Sequence, residues 1–129
     1  MEKKIAELSV RSKIWLADED GAVVFGLGRL KMLDAIHRRG SIQAAARELG
    51  MSYRGLWGRI KATEQRLGKP LLHCNIGGKK GGGSELTPFA LDLMARFQKL
   101  HRQVAADADD LFEVLIKSGV AEAENKKRP

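Results

Sequence analysis

The segment from residue 41 to residue 67 constrains the fold more than any other part of the chain. It contains two short runs of helix-forming residues, one starting at Ser41 and ending at Gly50, the other starting at Ser52 and ending at Gly68. A serine side chain caps a helix N-terminus, and a glycine readily adopts the left-handed backbone conformation that ends a helix. The segment therefore predicts two helices that meet at a tight turn around Gly50.

Small and apolar residues stand where these two helices would pack together. Ala45 and Ala46 in the first helix are small enough for a close approach. Leu56 and Ile60 share one face of the second helix, where they can meet Leu49 of the first. This is the pattern of a DNA-binding helix-turn-helix, although an ordinary helical hairpin can carry the same residues.

Charge favours the helix-turn-helix over the ordinary hairpin. The chain has 129 residues and a formal net charge of +7. Residues 29–80 contain twelve Lys and Arg against three Asp and Glu, a net charge of +9, whereas residues 1–28 and 81–129 each carry −1. A solvated helix surface usually mixes both signs, so a block this one-sided favours a polyanionic partner such as nucleic acid.

Turn and capping signals divide the rest of the chain. Asp20 and Gly21 lie between two β-prone runs and predict a hairpin, and Thr87-Pro88 predicts the start of a long helix over about 87–118. The other predicted elements are a helix from Gly28 to Gly40, strands at 71–76 and 84–86, and a glycine-rich loop at 77–83 between those strands.

These elements predict a mainly α fold with small β-hairpins. Their order is that of a winged helix-turn-helix, with an N-terminal β-hairpin before it and a long C-terminal dimerisation helix after it. A chain of this length has room for one domain. We place that domain at residues 1–118 and expect residues 119–129 to form a flexible tail.

The second helix of the helix-turn-helix is predicted to read DNA with the face opposite Leu56 and Ile60. That face carries Tyr53, Arg54, Trp57, Gly58 and Lys61. Arginine can bind a guanine edge with two hydrogen bonds, aromatic residues can contact a phosphate or a thymine methyl, and a glycine lets DNA approach the backbone. Trp57 has a second interpretation, as an aromatic residue of the core or of a subunit contact.

Other residues are predicted to bind the phosphate backbone. Ser41, Gln43 and Ser52 lie at helix N-termini, where amide groups and short polar side chains bind phosphate. Helix capping alone would also explain both serines. Lys79 and Lys80, in the glycine-rich loop, fit a wing laid on the DNA backbone or in its minor groove. The alternative for these lysines is a solvated loop.

The long helix carries apolar residues at heptad spacing, with an interruption at Asp107. The residues that we assign to dimerisation are Leu93, Phe97, Leu100, Val104 and Leu111. This seam is longer than the core of such a small domain needs, so it predicts a two-fold dimer with recognition helices about 34 Å apart, or a multiple of that distance. The alternative is that the helix packs on its own three-helix core.

Several other classes of protein are excluded by the sequence. Gly68-Lys69 is followed by Pro70 and lacks the glycine spacing of a phosphate-binding loop, and Gly26-Leu27-Gly28 lacks the third glycine of a dinucleotide fingerprint. The histidines and the single cysteine show no metal-ligand spacing. We therefore expect no enzyme activity, no metal and no cofactor. The sequence has no apolar run long enough for a membrane span and no signal peptide, which predicts a cytoplasmic, nucleoid-associated protein.

The run from Gly40 to Arg54, Gly-Ser-Ile-Gln-Ala-Ala-Ala-Arg-Glu-Leu-Gly-Met-Ser-Tyr-Arg, resembles the LysR-type winged helix-turn-helix. Within that class the chain is most similar to the N-terminal domain of the ModE family of molybdate-responsive transcriptional regulators. Met51-Ser52-Tyr53-Arg54 followed by Trp57, the glycine-rich run at 77–89 and the segment Lys13-Ile14-Trp15-Leu16 carry this resemblance.

The resemblance implies a dimeric repressor that binds a palindromic operator in double-stranded DNA and controls genes for molybdate transport or molybdenum enzymes. Members of the family also carry a C-terminal molybdate-binding region of small β-barrels. Residues 106–129 could not form such a barrel, so we expect that this chain lacks a molybdate-binding domain and that any response to molybdate is indirect.

The sequence therefore predicts a sequence-specific DNA-binding transcriptional regulator. Two alternatives remain open at this point. A winged-helix protein-interaction module would be expected to carry acidic or apolar residues on the recognition face, where this chain has Arg54 and Lys61. A non-specific nucleoid protein would bind through phosphates alone, and its affinity would fall steeply with salt.

Overall fold

The computed structural model of the chain describes residues 4–75, 83–120 and 123. The chain divides into two units, one formed by Ile14–Phe97 and the other by Met1–Lys13 together with Gln98–Pro129. The predicted domain boundary at residue 118 stays a prediction, and most of the predicted tail at 119–129 lies outside the described residues.

The first unit begins with a two-stranded antiparallel hairpin of β1 (Trp15–Ala17) and β2 (Val23–Gly26). The side chain of Asp18 stabilises the turn, because its Oδ1 accepts hydrogen bonds from the amides of Asp20 and Ala22 at 2.9 and 3.0 Å. Gly21 adopts a φ of 84°, which an L side chain rarely adopts. The predicted hairpin at Asp20-Gly21 is confirmed.

Three helices follow, α1 (Leu27–Arg39), α2 (Ile42–Leu49) and α3 (Tyr53–Leu67). Ser41 Oγ accepts the amide of Ala44 at 3.1 Å, and Ser52 Oγ accepts the amide of Gly55 at 2.9 Å. Each helix ends at a glycine with positive φ: 76° at Gly40, 66° at Gly50 and 70° at Gly68. The capping predictions for the helix-turn-helix are thereby confirmed.

A second antiparallel hairpin is formed by β3 (Leu72–Asn75) and β4 (Gly83–Leu86), with Leu72 opposite Leu86. Thr87 joins this hairpin to the helix α4 (Pro88–Phe112), since its Oγ1 accepts the amide of Ala90 at 3.1 Å and donates to the carbonyl of Pro70 at 2.8 Å. A π-helical stretch, Glu113–Ser118, follows α4. The mainly α winged fold with small hairpins is confirmed.

The core of the Ile14–Phe97 unit gathers apolar side chains from its helices and from both hairpins. Its largest fully buried members are Phe25, Leu33, Ile36, Leu56, Ile60, Leu71 and Phe97. Burial of a side chain of this size stabilises the fold by about 1.5–3 kcal/mol. Leu56 and Ile60, which the spacing of α3 predicts to face the core, are buried together with Thr63, which was not predicted. The opposite face of that helix is left exposed.

Phe97 corrects one prediction. It was assigned to the dimerisation seam, but it is only 2% exposed and packs edge-on against Phe25, with ring centroids 5.2 Å apart. Heptad spacing does not show which partner an apolar residue meets, and here the partner is the chain's own core.

No helix in the described part of the chain is long and apolar enough to cross a membrane.

Candidate nucleic-acid interface

The exposed face of α3 carries the predicted recognition residues. Tyr53 is 52% exposed and Trp57 41% exposed, and Arg54 and Gly58 also lie on the surface. Since α3 buries Leu56, Ile60 and Thr63 on its other side, these four residues share a continuous solvent-facing surface. The structure therefore places the predicted recognition face where a ligand can reach it.

Trp57 is too exposed to be a core residue of this chain. The ammonium of Lys61 lies 5.6 Å from the centroid of its indole ring, within cation–π range. The aromatic surface that remains accessible can contact DNA or a second copy of the chain. The exposure of Trp57 excludes a position in the core of this chain, and the interpretations as a DNA contact or a subunit contact remain.

Lys61 is held by an acidic neighbour. Its Nζ lies 2.9 Å from Glu64 Oε1, and the other oxygen of Glu64 accepts the amides of Leu71 and Leu72 at 2.6 and 3.1 Å. Partial burial opposes ionisation of Glu64, but the hydrogen bonds from Lys61 and from the two amides outweigh it and hold the pKa of this carboxyl below its ordinary value. Lys61 is thus partly neutralised and is the weakest candidate on the α3 face.

The two glycines of α3 differ in their surroundings. A Cβ added at Gly55 would lie 3.0 Å from Ser52 Oγ, which is the atom that caps the helix. A Cβ added at Gly58 would meet nothing within 4 Å. The fold itself therefore gives a reason for glycine at 55 and none at 58.

The predicted phosphate ligands fall into two groups. Ser41, Gln43 and Ser52 lie at the N-termini of α2 and α3, and both serines use their hydroxyl oxygen as a cap. Gln43 is exposed in the first turn of α2. Lys79 and Lys80 lie outside the described residues, as does the glycine-rich loop that carries them.

The basic residues of the helix-turn-helix differ in whether they are paired. Arg39 Nε lies 2.8 Å and Arg38 Nη1 3.0 Å from the same oxygen of Glu48, and Arg38 also pairs with Asp34. The hydrogen bonds from Arg38 and Arg39 lower the pKa of Glu48 to about 2. These two arginines are therefore neutralised locally by acidic residues of α1 and α2.

Arg47 and Arg59 are exposed arginines that the sequence reasoning missed. Within the described part of the chain, neither makes a side-chain hydrogen bond or an ion pair, and the same holds for Arg54. The signal was present in the sequence, because Asp34, Glu48 and Glu64 are the only acidic residues between positions 29 and 80. Because twelve basic residues share these three acidic ones, most of the basic residues have no acidic partner within the block.

The predicted dimerisation residues are divided between core and surface. Leu93 is half-buried and packs on the core beside Phe97. Leu100 and Leu111 are exposed, the latter by 57%, and Val104 is half-buried. Three further exposed apolar residues lie in the π-helical stretch: Val114, Leu115 and Ile116.

No group of three or more His, Cys, Asp or Glu residues that could hold a metal ion is found among the described residues.

Comparison with known proteins places this geometry among regulators. Residues 27–91 match the family described as bacterial regulatory helix-turn-helix protein, lysR family. The chain is similar to the molybdenum-pterin-binding protein MopB of Rhodobacter capsulatus, with 42% identity over 80 residues covering 62% of this chain and 30% of MopB. It is also similar to the molybdenum transport protein ModE of Herbaspirillum seropedicae, with 40% identity over 72 residues covering 56% of this chain and 27% of that protein.

Among solved structures, the chain is similar in fold to the BenM DNA-binding domain in complex with the benA site 1 DNA. The TM-score is 0.50 at 22% identity, over 71% of this chain and 98% of that one. This likeness supports the winged helix-turn-helix fold. The chain spans about 30% of the length of these two curated relatives.

Because the family match covers half of the chain and includes α1, the helix-turn-helix and the second hairpin, the assignment does not depend on the α3 face alone. The chain belongs to the lysR family of bacterial regulatory helix-turn-helix proteins.

Proposed function

We propose that this chain recognises a specific site in double-stranded DNA as a dimeric repressor of genes for molybdate transport or molybdenum enzymes. The observation that carries the proposal is the exposed face of α3, where Tyr53, Arg54 and Gly58 lie side by side at the surface of a helix-turn-helix. A major groove about 12 Å wide admits one α-helix. In this proposal α3 is that helix.

Arg54 is the residue best placed to read a base. It lies in the first turn of α3, and within the described residues its guanidinium has no hydrogen bond or ion pair to give up. The N-terminal residues of a recognition helix are those that usually contact base edges. A guanidinium can donate two hydrogen bonds to guanine O6 and N7.

Gly58 supports a close approach of α3 to DNA. A glycine inside a helix costs about 1 kcal/mol of stability relative to alanine, and the open space around Gly58 gives no packing reason to accept that cost. A helix backbone that must come close to a base or a phosphate supplies such a reason. We infer that Gly58 faces the DNA.

The ends of the helices and the wing would position the protein on the phosphate backbone. Ser41, Gln43 and Ser52 lie at helix N-termini, where backbone amides favour an anion. In this proposal Lys79 and Lys80 of the glycine-rich segment contact phosphates beside the groove. Such contacts set the register of the protein and leave the reading of bases to α3.

The apolar residues after Phe97 support a homodimer. Leu100 and Leu111 are exposed although both are large and apolar, and Val114 and Leu115 extend the apolar surface. Surfaces of this kind mark contacts with other proteins. A two-fold dimer would bind a palindromic operator with half-sites about 34 Å apart or a multiple of that distance.

The link to molybdenum rests on the names of the relatives. MopB is described as a molybdenum-pterin-binding protein, and ModE as a molybdenum transport protein. Since the chain spans about 30% of each, molybdenum control of this chain's genes is part of the proposal. We expect the protein to act in the cytoplasm, on the nucleoid.

Selection of bound sequences from random duplexes, with and without molybdate, tests the proposal. We expect one palindromic site to be enriched. Tight binding without an enriched site would contradict site-specific recognition, and comparison of the two arms shows whether molybdate changes the affinity for that site. A reporter joined to the promoter nearest an enriched site should be more active in cells that lack the protein, and lower activity would contradict repression.

Sedimentation tests the dimer. We expect the protein to be dimeric at micromolar concentration and Leu111→Asp to be monomeric, because a carboxylate would enter the apolar contact. Leu91→Asp is the matched control, since Leu91 is also an exposed leucine of α4 but stands outside the predicted seam. A monomeric wild-type protein would contradict this part of the proposal.

A further inference from the structure

Three arginines converge on the flank of α3 that borders the first hairpin. Arg29 lies in the first turn of α1, and Arg59 and Arg66 lie two turns apart on α3. Partial burial, followed by the positive charges of Arg59 and Arg66, holds the pKa of Arg29 below its ordinary value. The charges of Arg59 and Arg66 are therefore close enough to that of Arg29 to repel it.

Arg29 is fixed in place by neutral groups. Its Nε donates to Thr63 Oγ1 at 2.9 Å, and its Nη1 lies 3.8 Å from Met32 Sδ. Thr63 is itself only 2% exposed and donates its hydroxyl proton to the carbonyl of Arg59 at 2.9 Å. These bonds orient the guanidinium and leave its charge unneutralised.

Arg66 is fixed in a similar way. Its Nη1 donates to the carbonyl of Val23 in β2 at 2.7 Å. Arg59 is exposed about two turns earlier on the same helix. Within the described part of the chain none of these three arginines has an acidic partner, whereas Arg39 and Arg96 each have a carboxylate 2.8 to 2.9 Å away.

An arrangement of neighbouring, unneutralised guanidiniums is unfavourable for folding, since like charges close to one another repel. It becomes favourable when an anion binds between them. A phosphate is well matched, because guanidinium groups donate paired hydrogen bonds to its oxygens. We propose that Arg29, Arg59 and Arg66, a cluster that we name the flank triad, bind a phosphate of the DNA backbone.

The position of the flank triad on α3 identifies the phosphate as one beside the groove that α3 enters. Arg59 follows Gly58 directly, and one residue along a helix turns the side chain by about 100°. The flank triad therefore lies to one side of the face that carries Arg54 and Gly58. This inference rests on the proposed function, since it assumes that α3 is the helix in the groove.

The dependence of DNA affinity on salt tests the flank triad. Each lost phosphate contact reduces the magnitude of the negative slope of log Kobs against log salt by about 0.9. Arg59→Gln is the principal variant, because the Arg59 side chain makes no hydrogen bond in the described part of the chain that folding could need. We expect the salt dependence of this variant to become shallower, with the magnitude of the slope reduced by about 0.9, while the order of preferred bases stays unchanged. Arg66→Gln should behave likewise.

Arg96→Gln is the matched control. It removes one positive charge from an exposed arginine of α4 that is paired with Asp92, and we expect no change in slope. An Arg59→Gln slope equal to that of the wild type would overturn the flank triad while leaving the proposed function intact. A change of base preference in Arg59→Gln would overturn it as well, because a phosphate contact carries no base information.

Thermal unfolding separates the flank triad from the proposed function. We measure Tm in sodium phosphate and in sodium chloride at equal ionic strength. Phosphate should raise the Tm of the wild type more than that of Arg59→Gln, and in chloride Arg59→Gln should melt at or above the wild-type Tm because repulsion is relieved. Equal phosphate effects on the two proteins would overturn the flank triad, whereas failure of the wild type to bind any duplex would overturn the proposed function and this inference together.

Discussion

Two basic regions of the helix-turn-helix look alike in sequence and differ in the structure. The corner between α1 and α2 holds Arg38 and Arg39, whose guanidiniums are bonded to Glu48. The surface of α3 holds Arg54 and Arg59, which are exposed and form no ion pair in the described part of the chain. An arginine that is already paired has less to gain from a phosphate, so the proposed DNA-binding surface follows the unpaired arginines rather than the number of arginines.

The largest effect is expected for Arg54→Ala. Loss of two hydrogen bonds to a base should weaken binding to the selected site by about 1–3 kcal/mol and relax the preference for that base. Fluorescence anisotropy with the selected duplex and with each single-base variant measures both. Arg39→Ala, on the paired side, should leave the base preference unchanged, and an equal loss in both variants would remove the distinction between the two regions.

Gly58→Ala is expected to separate stability from binding. The variant should gain about 1 kcal/mol of unfolding free energy, because alanine is the better helix former and its Cβ meets nothing. Its affinity for DNA should fall, since the methyl group would lie between the helix and the groove. Chemical denaturation and anisotropy test the two halves.

Gly28→Ala serves as the control for Gly58→Ala, because Gly28 is also a helical glycine with open space around it. It should affect stability alone. A Gly58→Ala protein that binds its site as well as the wild type would remove Gly58 from the interface.

Glu48→Gln should make the two basic regions more alike. Without the carboxylate, Arg39 becomes unpaired while Arg38 keeps its bond to Asp34, and the affinity for duplexes of unrelated sequence should rise as the salt slope steepens by about 0.9. Titrations of a random duplex at several salt concentrations measure this. An unchanged slope would mean that the α1–α2 corner lies away from the DNA even when its charges are released.

The smallest expected effect is the pH dependence of folding stability that Glu48 contributes. The pKa of Glu48 is lowered to about 2 from an ordinary value of 4.5, so the bonds to Arg38 and Arg39 stabilise the folded state above pH 4.5. That stabilisation is lost as the pH falls from 4.5 to 2, because protonation then costs the folded state its ion pairs. The Tm difference between wild type and Glu48→Gln should shrink over this window, and the exposure of the pair keeps it small.

Local signals predicted most of the fold. The caps at Ser41, Ser52 and Thr87 and the helix ends at Gly50 and Gly68 depend on a few neighbouring residues, and all five are as expected. These contacts span three or four residues, which is the range over which a sequence pattern is informative.

Contacts between distant residues were not predictable in the same way. Arg29 meets Thr63 across 34 positions of the chain, and no local pattern marks that pair. Phe97 was placed in the seam because spacing indicates a face and not its partner. In the candidate site, the α3 face followed from helical geometry, whereas the pairing of Lys61 with Glu64 and the charges around Arg29 required the fold.

Thr87 carries a consequence for how such a wing can vary. Its hydroxyl bonds both Pro70 and α4, and its amide donates to the carbonyl of Leu71 at 3.0 Å. These hydrogen bonds of Thr87 hold the base of the second hairpin together, and they do not involve the segment that connects β3 to β4. Lengthening that connection costs little, since loop entropy grows only with the logarithm of length. Homologous chains can therefore carry connections of different length and sequence between β3 and β4 while the rest of the domain keeps its fold.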